Sequence, residues 1–268
     1  MRVDDRHVNY DFVMAMSERK EASNTSDIQA VARVAEICGL FGSNELTAAD
    51  VAERTGLNRT TAYRYCSSMV AAGILERGSR RGTFALGGLM LQVGIRALNR
   101  RRVVDIAPAH LRRLRENVRH TAVLSLWAAG RPVVALVEED ASRPIMITVR
   151  AGTRLDEHAA QTHIYLAHAD GDAMAAALQG LDAEAAAKLI ADVDLARRQG
   201  YALAGYDGGM FGAAAPVFDE NGICATVAIL GAEQHTDLSE SSAALRALRA
   251  TADQLSEELG AKVAVHSA

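Results

Sequence analysis

The stretch from Leu46 to Leu86 constrains this chain more than any other, because it spells two short helices joined by a glycine turn and followed by a hairpin. Thr47 and Asp50 stand three apart, the spacing of a capping box with Asp in the Glu/Gln place, which predicts a helix start. Gly56 follows, where a residue free to take positive φ can end that helix. Leu57 is the expected buried residue of the turn and Asn58 the cap of the next helix. That helix opens with Arg59, Thr60, Thr61, Tyr63 and Arg64 and continues through Tyr65 and Met69 to Gly73. In a helix-turn-helix, its opening residues are the ones that enter a major groove. Ile74–Arg77, Gly78-Ser79-Arg80-Arg81-Gly82 and Thr83–Leu86 read as strand, glycine-flanked loop and strand. Two arginines at a hairpin tip that no core requires suit a DNA-contacting wing, with a solvated turn as the alternative. The candidate contacts to double-stranded DNA are Thr47, Asn58, Arg59, Thr60, Thr61, Tyr63, Arg64, Arg77, Arg80 and Arg81.

Charge is distributed to match. Leu46–Arg102 holds ten Arg against Asp50, Glu53 and Glu76, a net of +7. From Val103 to Ala268 there are 14 basic and 22 acidic residues, a net of −8, so the overall −4 conceals a basic segment fused to an acidic one. Cationic surface is what phosphate binding requires, because neutralised phosphates release condensed counterions. A merely solvated helical face would interleave Glu with Lys. This segment has no Lys at all.

A length of 268 residues with a sign reversal near residue 102 suits two domains. Hydrophobic content is 49% but aromatic content only 4%, so the core must be built from Ala, Leu and Val. No apolar run approaches the roughly 18 residues of a membrane span, and the N-terminus lacks an apolar signal core. Cys38, Cys66 and Cys224 are odd in number, sit among apolar residues and have no metal-type spacing. The expectation is a cytoplasmic protein with reduced cysteines.

The organisation expected along the chain is an arm over 1–25, a DNA-binding domain over 26–87, a linker helix over 88–102, an α+β domain over 103–260 and a tail over 261–268. Ser26 can cap a first helix carrying Ile28, Val31, Val34 and Cys38. Leu89, Met90, Val93 and Ala97 mark the linker as amphipathic. A helix follows over 104–119, then strands at 122–127, 132–138 and 145–150, and helices at 158–169 and 183–199. Strands at 211–218 and 223–231 flank Asp219-Glu-Asn-Gly222, a hairpin turn, and a helix over 239–259 closes the domain. Antiparallel hairpins with interposed helices suggest a sheet with helices packed on it.

With these residues in view the chain resembles the IclR (isocitrate lyase regulator) family of bacterial transcription regulators. The likeness is carried by Gly56-Leu-Asn-Arg-Thr-Thr-Ala-Tyr63-Arg64, Gly73-Ile-Leu75, Phe84-Ala-Leu86-Gly87, Ala196-Arg-Arg-Gln-Gly200-Tyr201-Ala and Ala213-Ala-Ala-Pro216-Val-Phe-Asp219-Glu-Asn-Gly222. It implies an N-terminal winged helix-turn-helix, a C-terminal effector-binding domain of GAF-like α/β fold, and assembly as a dimer or dimer of dimers. The resemblance also places an effector pocket. The family's His-Ala-Ser/Thr-small-small-Gly-Lys run becomes His158-Ala-Ala-Gln161-Thr162-His163-Ile164, and its acidic position best matches Asp207. Met210, Gly212, Ala228 and Leu230 match the strand wall, and Gly130 is a further candidate. The resemblance then implies a pocket that is apolar, roomier at Gly212, and better suited to an aromatic or bulky acid or amide than to a small keto acid.

Other chemistry is poorly supported by the pattern. His158, His163 and His168 recur every five residues, which spreads them around a helix and prevents convergence on one metal. Gly205-Tyr-Asp-Gly-Gly209 precedes a strand and is no phosphate loop. No serine sits in a nucleophile elbow. A regulator without metal or cofactor, and not an enzyme, is the leading expectation. A metal-dependent sensor or enzyme using His163 and Asp207 is the alternative.

Overall fold

The structure, a computed structural model, describes residues 28–42, 44–142 and 147–261, apart from the side chain of His235. The expected arm over 1–25, the Ser26 cap, Ile145 and Met146 of the expected third strand, and all but Ala261 of the tail lie outside the described residues. The chain divides into two compact units between Arg100 and Arg101.

In the first unit, α1 (Gln29–Leu40), β1 (Leu46–Thr47), α2 (Ala48–Thr55), α3 (Arg59–Ala71), β2 (Leu75–Arg77), β3 (Thr83–Leu86) and α4 (Gly88–Leu98) follow in order. Thr47 and Asp50 form the reciprocal capping box at the start of α2, and Gly56 ends that helix at φ 68°. The turn delivers Asn58, whose side chain accepts from the Thr61 amide at 2.8 Å and so starts α3 in a fixed direction. Ile37, Leu40, Val51, Ala62, Cys66, Met69, Leu75 and Phe84 interlock as the core. The hairpin gains a third strand that the sequence pattern did not reveal, because β1 is only two residues long and pairs with β3 through Leu46↔Phe84 and Thr47↔Thr83. The linker helix departs from expectation. None of the residues of α4 is buried, and apolar side chains project on both flanks rather than on one.

The second unit carries α5 (Arg102–Val118), β4 (Thr121–Ala128), β5 (Arg131–Glu138), α6 (Ala160–His168), α7 (Gly171–Leu178), α8 (Ala183–Gln199), β6 (Ala202–Tyr206), β7 (Met210–Asp219), β8 (Gly222–Ala232) and α9 (Ala243–Glu258). The five strands form an antiparallel sheet in the order β5-β4-β8-β7-β6. Alternation assigns the two faces. Leu124, Phe211, Ala213, Val217, Val227 and Ile229 pack with residues of α5 and α9 on one face. Val123, Ala214, Ala228 and Leu230 pack with residues of α6 and α8 on the other. His110 of α5 meets Glu258 of α9 at 2.9 Å, joining the two helices of the first face.

Several elements correct the sequence pattern. Residues 147–150 are not a strand; the edge of β5 is touched instead by an isolated bridge, Val133↔Arg154. Helix α6 starts at Ala160 rather than at His158, and α9 is capped by Ser242 rather than starting at Ser239. Helix α7 and strand β6 were not anticipated. Ala202-Leu-Ala-Gly-Tyr206 has no β-branched residue and becomes a strand because β7 offers it an open ladder.

Candidate functional site

On the first unit, Arg59, Thr60, Tyr63 and Arg64 all stand exposed on the opening turns of α3, with Thr61 half-buried beside them. Arg77, Arg80 and Arg81 are exposed on and around the β2–β3 hairpin. Two of the ten residues expected at DNA are committed locally. The Thr47 hydroxyl donates to Asp50 Oδ2 at 2.8 Å and accepts from the Asp50 amide, and the Asn58 side chain holds the Thr61 amide. Both fix helix starts, Thr47 half-buried and Asn58 exposed.

Arg77 is not a free cation either. Its guanidinium lies 4.8 Å from the centroid of Phe84 and 6.0 Å from that of Tyr63, whose rings meet edge-on. Cation–π contacts of this exposed kind contribute about 0.5–1 kcal/mol. Hydrogen bonding to Arg77 holds the Tyr63 phenol below the usual tyrosine range. The reading helix and the wing are therefore tied together by Tyr63, Arg77 and Phe84. Glu45, which no local motif marks, bonds the wing tip from outside the hairpin through Ser79 and Thr83.

In the second unit, Gln161, Thr162 and His163 open α6 and are all buried. Each has a side-chain polar atom partnered within the protein. Gln161 Oε1 accepts from Thr226 Oγ1 at 2.9 Å. The Thr162 hydroxyl donates to the carbonyl of Asp156 at 2.6 Å, and His163 Nε2 lies 2.9 Å from the carbonyl of Glu157, so that nitrogen carries the donated proton. Burial pushes the His163 pKa down and keeps the ring neutral. Thr162 and His163 thus pin the loop that enters α6.

Met210, Gly212, Ala228 and Leu230 do share one face of β7 and β8, through the pairs Gly212↔Leu230 and Ala214↔Ala228. The expected extra room at Gly212 is not there. A Cβ on Gly212 would lie 3.2 Å from Tyr206 Cε2 and 3.3 Å from its hydroxyl, so the Tyr206 ring fills that space. Burial pushes the Tyr206 phenol up to about 12, against a hydrogen bond from the Ala160 backbone at the start of α6. Asp207 is exposed in the turn after β6. Gly130 is not brought to it. The pairs Thr121↔Leu230 and Met210↔Ala232 put the β6–β7 turn at one end of the sheet, while Gly130 sits in the β4–β5 turn at the other.

Sequence pattern missed Tyr206, Ser125 and Thr226. Ser125 and Thr226 pair across β4 and β8 and are wholly buried. The Ser125 hydroxyl has no hydrogen-bond partner. A polar residue at an inward position of the otherwise apolar run 122–127 was the available signal. Among the described residues, no three His, Cys, Asp or Glu are grouped closely enough to hold a metal. Nor is any described helix long and apolar enough to cross a membrane.

A winged helix-turn-helix with exposed arginines, followed in the chain by a five-stranded α/β unit whose sheet carries buried polar groups under a helix, defines a DNA-binding transcription regulator with an effector-binding domain. The chain belongs to the IclR family: residues 30–79 match the IclR helix-turn-helix domain and residues 95–257 the bacterial transcriptional regulator IclR C-terminal domain. It is 29% identical over 210 residues to the HTH-type transcriptional regulator BhcR of Paracoccus denitrificans, covering 74% of this chain and 75% of that protein. The fold is shared with a putative IclR regulator from Silicibacter sp. TM1040, at a TM-score of 0.75 and 20% identity over 86% of this chain and 96% of that one. It is shared too with an IclR homolog from Microbacterium hydrocarbonoxydans complexed with 4-hydroxybenzoate, at a TM-score of 0.70 and 23% identity over 86% and 98%. This is a family of regulators and not of enzymes, which sets aside the catalytic alternative built on His163 and Asp207.

Proposed function

We propose that this regulator reads a palindromic operator as a homo-oligomer and is controlled by a small organic acid or amide of aromatic size bound at the start of α6. Arg59, Thr60, Thr61, Tyr63 and Arg64 face base edges in the major groove. Arg80 and Arg81 take phosphates or the minor groove, and Thr47, Asn58 and Arg77 hold the elements that present them. Residues 26–87 serve as the reader, 88–102 as the linker and 103–260 as the ligand domain, with 1–25 and 261–268 as arm and tail. Bacterial operator DNA places the protein in the cytoplasm.

The observation that carries the ligand site is the start of α6. Eight residues from Ala160 to Ala167 are buried, the N-cap residue Ala159 offers no side-chain cap, and the Tyr206 phenol bonds the Ala160 backbone in its place. Amide N–H groups at a helix start favour an anion or carbonyl oxygen. The Tyr206 ring beside them marks an aromatic-sized space that a ligand claims by displacing it. The benzoate-type ligand of the Microbacterium homolog supports this class. Binding there shifts the spacing of paired readers and so changes operator affinity.

Calorimetric titration of 4-hydroxybenzoate, benzoate and benzamide, followed by gel shifts with and without each compound, tests the ligand. Binding that leaves DNA affinity unchanged, or no binding by any acid or amide in a wider panel, refutes it. For the reader, Arg64→Ala is expected to cost about 1–3 kcal/mol on operator DNA and much less on random DNA. Equal losses on both would remove Arg64 from base recognition.

A further inference from the structure

Glu45 sits between α1 and β1, outside every motif of the winged helix, with its side chain 22% exposed. Its carboxylate gathers the wing tip. Oε1 accepts from the Ser79 amide at 2.6 Å and Oε2 from the Arg80 amide at 3.3 Å, while the Thr83 hydroxyl lies 2.6 Å from both Oε2 and the Arg80 carbonyl. Arg80 Nε lies 3.8 Å from Oε2, while the Arg80 side chain stays 73% exposed. The approach is so close that a Cβ on Gly78 would fall 2.6 Å from Glu45 Oε2 and 2.3 Å from Thr83 Oγ1, which explains a glycine there.

We propose that Glu45 is the positioning residue of the DNA-contacting wing, so that removing its negative charge weakens DNA binding instead of strengthening it. The inference rests on the reading of Arg80 and Arg81 as phosphate contacts. Simple electrostatics predicts the reverse, because an acid near DNA repels phosphate. The geometry decides otherwise. The loop 78–82 is glycine-flanked, and ordering a flexible backbone costs conformational entropy, so without an acceptor for its amides the tip samples more shapes. Glu45 supplies that acceptor from a separate element. The Thr83 hydroxyl first, then the Ser79 and Arg80 amides, hold its carboxyl down to about 2, so it is charged at every physiological pH. The Arg80 guanidinium beside it stays largely exposed, where phosphate can reach it.

Wing-to-phosphate contacts are independent of sequence, so a generic duplex of about 30 base pairs serves as the probe. Affinity is measured across salt for the wild-type protein, Glu45→Gln, Gly78→Ala and Arg80→Ala/Arg81→Ala. The double arginine variant is expected to flatten the logarithmic salt slope by about two, one per lost phosphate contact. Glu45→Gln removes a negative charge, whereas Gly78→Ala leaves the charge unchanged and disturbs only the packing of the carboxylate against the loop. Both are expected to weaken binding about three- to tenfold and to flatten the slope in the same direction. A general loss of folded protein would lower the active fraction and leave the slope alone. Tighter or unchanged binding by Glu45→Gln, beside a weakened double arginine variant, overturns the positioning role. An unchanged double arginine variant overturns the wing reading itself, and the proposal with it.

Discussion

If α4 pairs two copies of this chain, trimming its outer stripe has a calculable cost. Leu91, Ile95 and Leu98 fall at i, i+4 and i+7, on one side of the helix, and are 67%, 49% and 40% exposed. Leu91→Ala removes about three carbons, worth about 0.8 kcal/mol each when fully buried. Two thirds of that surface is open in the single chain, so its burial contributes about 1.6 kcal/mol per copy. A two-fold interface counts each residue twice, giving about 3 kcal/mol, or a dissociation constant raised by somewhat more than a hundredfold. Sedimentation equilibrium of wild type and Leu91→Ala from nanomolar to micromolar concentration reads this directly. The DNA geometry argues for a second copy as the occupant, since one recognition helix covers only a half-site. Dissociation constants within threefold of each other would show that α4 is not the pairing surface. A wild-type monomer at micromolar concentration, with palindromic DNA present, would refute the dimer altogether.

Other perturbations test the ligand domain. His163 is buried neutral, with its pKa below the ordinary 6.5 and with Asp192, Lys188 and His158 as its charged surroundings. The unfolded chain therefore takes up a proton that the folded one refuses. Stability is full above pH 6.5 and declines as the pH falls below it; the excess decline between pH 7.5 and 5.5 in urea unfolding is expected to vanish in His163→Gln, and identical pH slopes would refute the assignment. Thr226→Val strips the donor from buried Gln161 Oε1 and is expected to cost about 1–3 kcal/mol. Ser125→Ala deletes a hydroxyl with no partner and is expected to be neutral or stabilising by about 1 kcal/mol. Thermal unfolding that ranks the two in the opposite order would contradict the hydrogen-bond assignments. Gly212→Leu must push the Tyr206 ring aside, at about 1–3 kcal/mol of overpacking, and abolish effector binding while sparing the DNA affinity of the ligand-free protein. Undiminished calorimetric binding would move the ligand site elsewhere.

The sequence by itself determined what depends on neighbours in the chain. The capping box Thr47–Asp50, the positive-φ Gly56 and the Asn58 cap are local hydrogen bonds and local backbone freedom, and the structure repeats each one. The wing hairpin and the β7–β8 hairpin were legible because glycine-marked turns separate strand-forming runs. Tertiary structure decided what depends on distant partners. A two-residue β1 and an alanine-rich β6 have almost no strand propensity of their own and exist because β3 and β7 present unpaired ladders. Glu45 reaches Ser79 across 34 positions and Gln161 reaches Thr226 across 65, so neither role leaves a trace in local spacing. The room inferred at Gly212 failed for the same reason. A missing side chain makes space only if no neighbour enters it, and the β6–β7 pairing delivers Tyr206 into that gap. Local chemistry chose the helix starts and turns; the contents of the ligand site were chosen by which strands came to lie side by side.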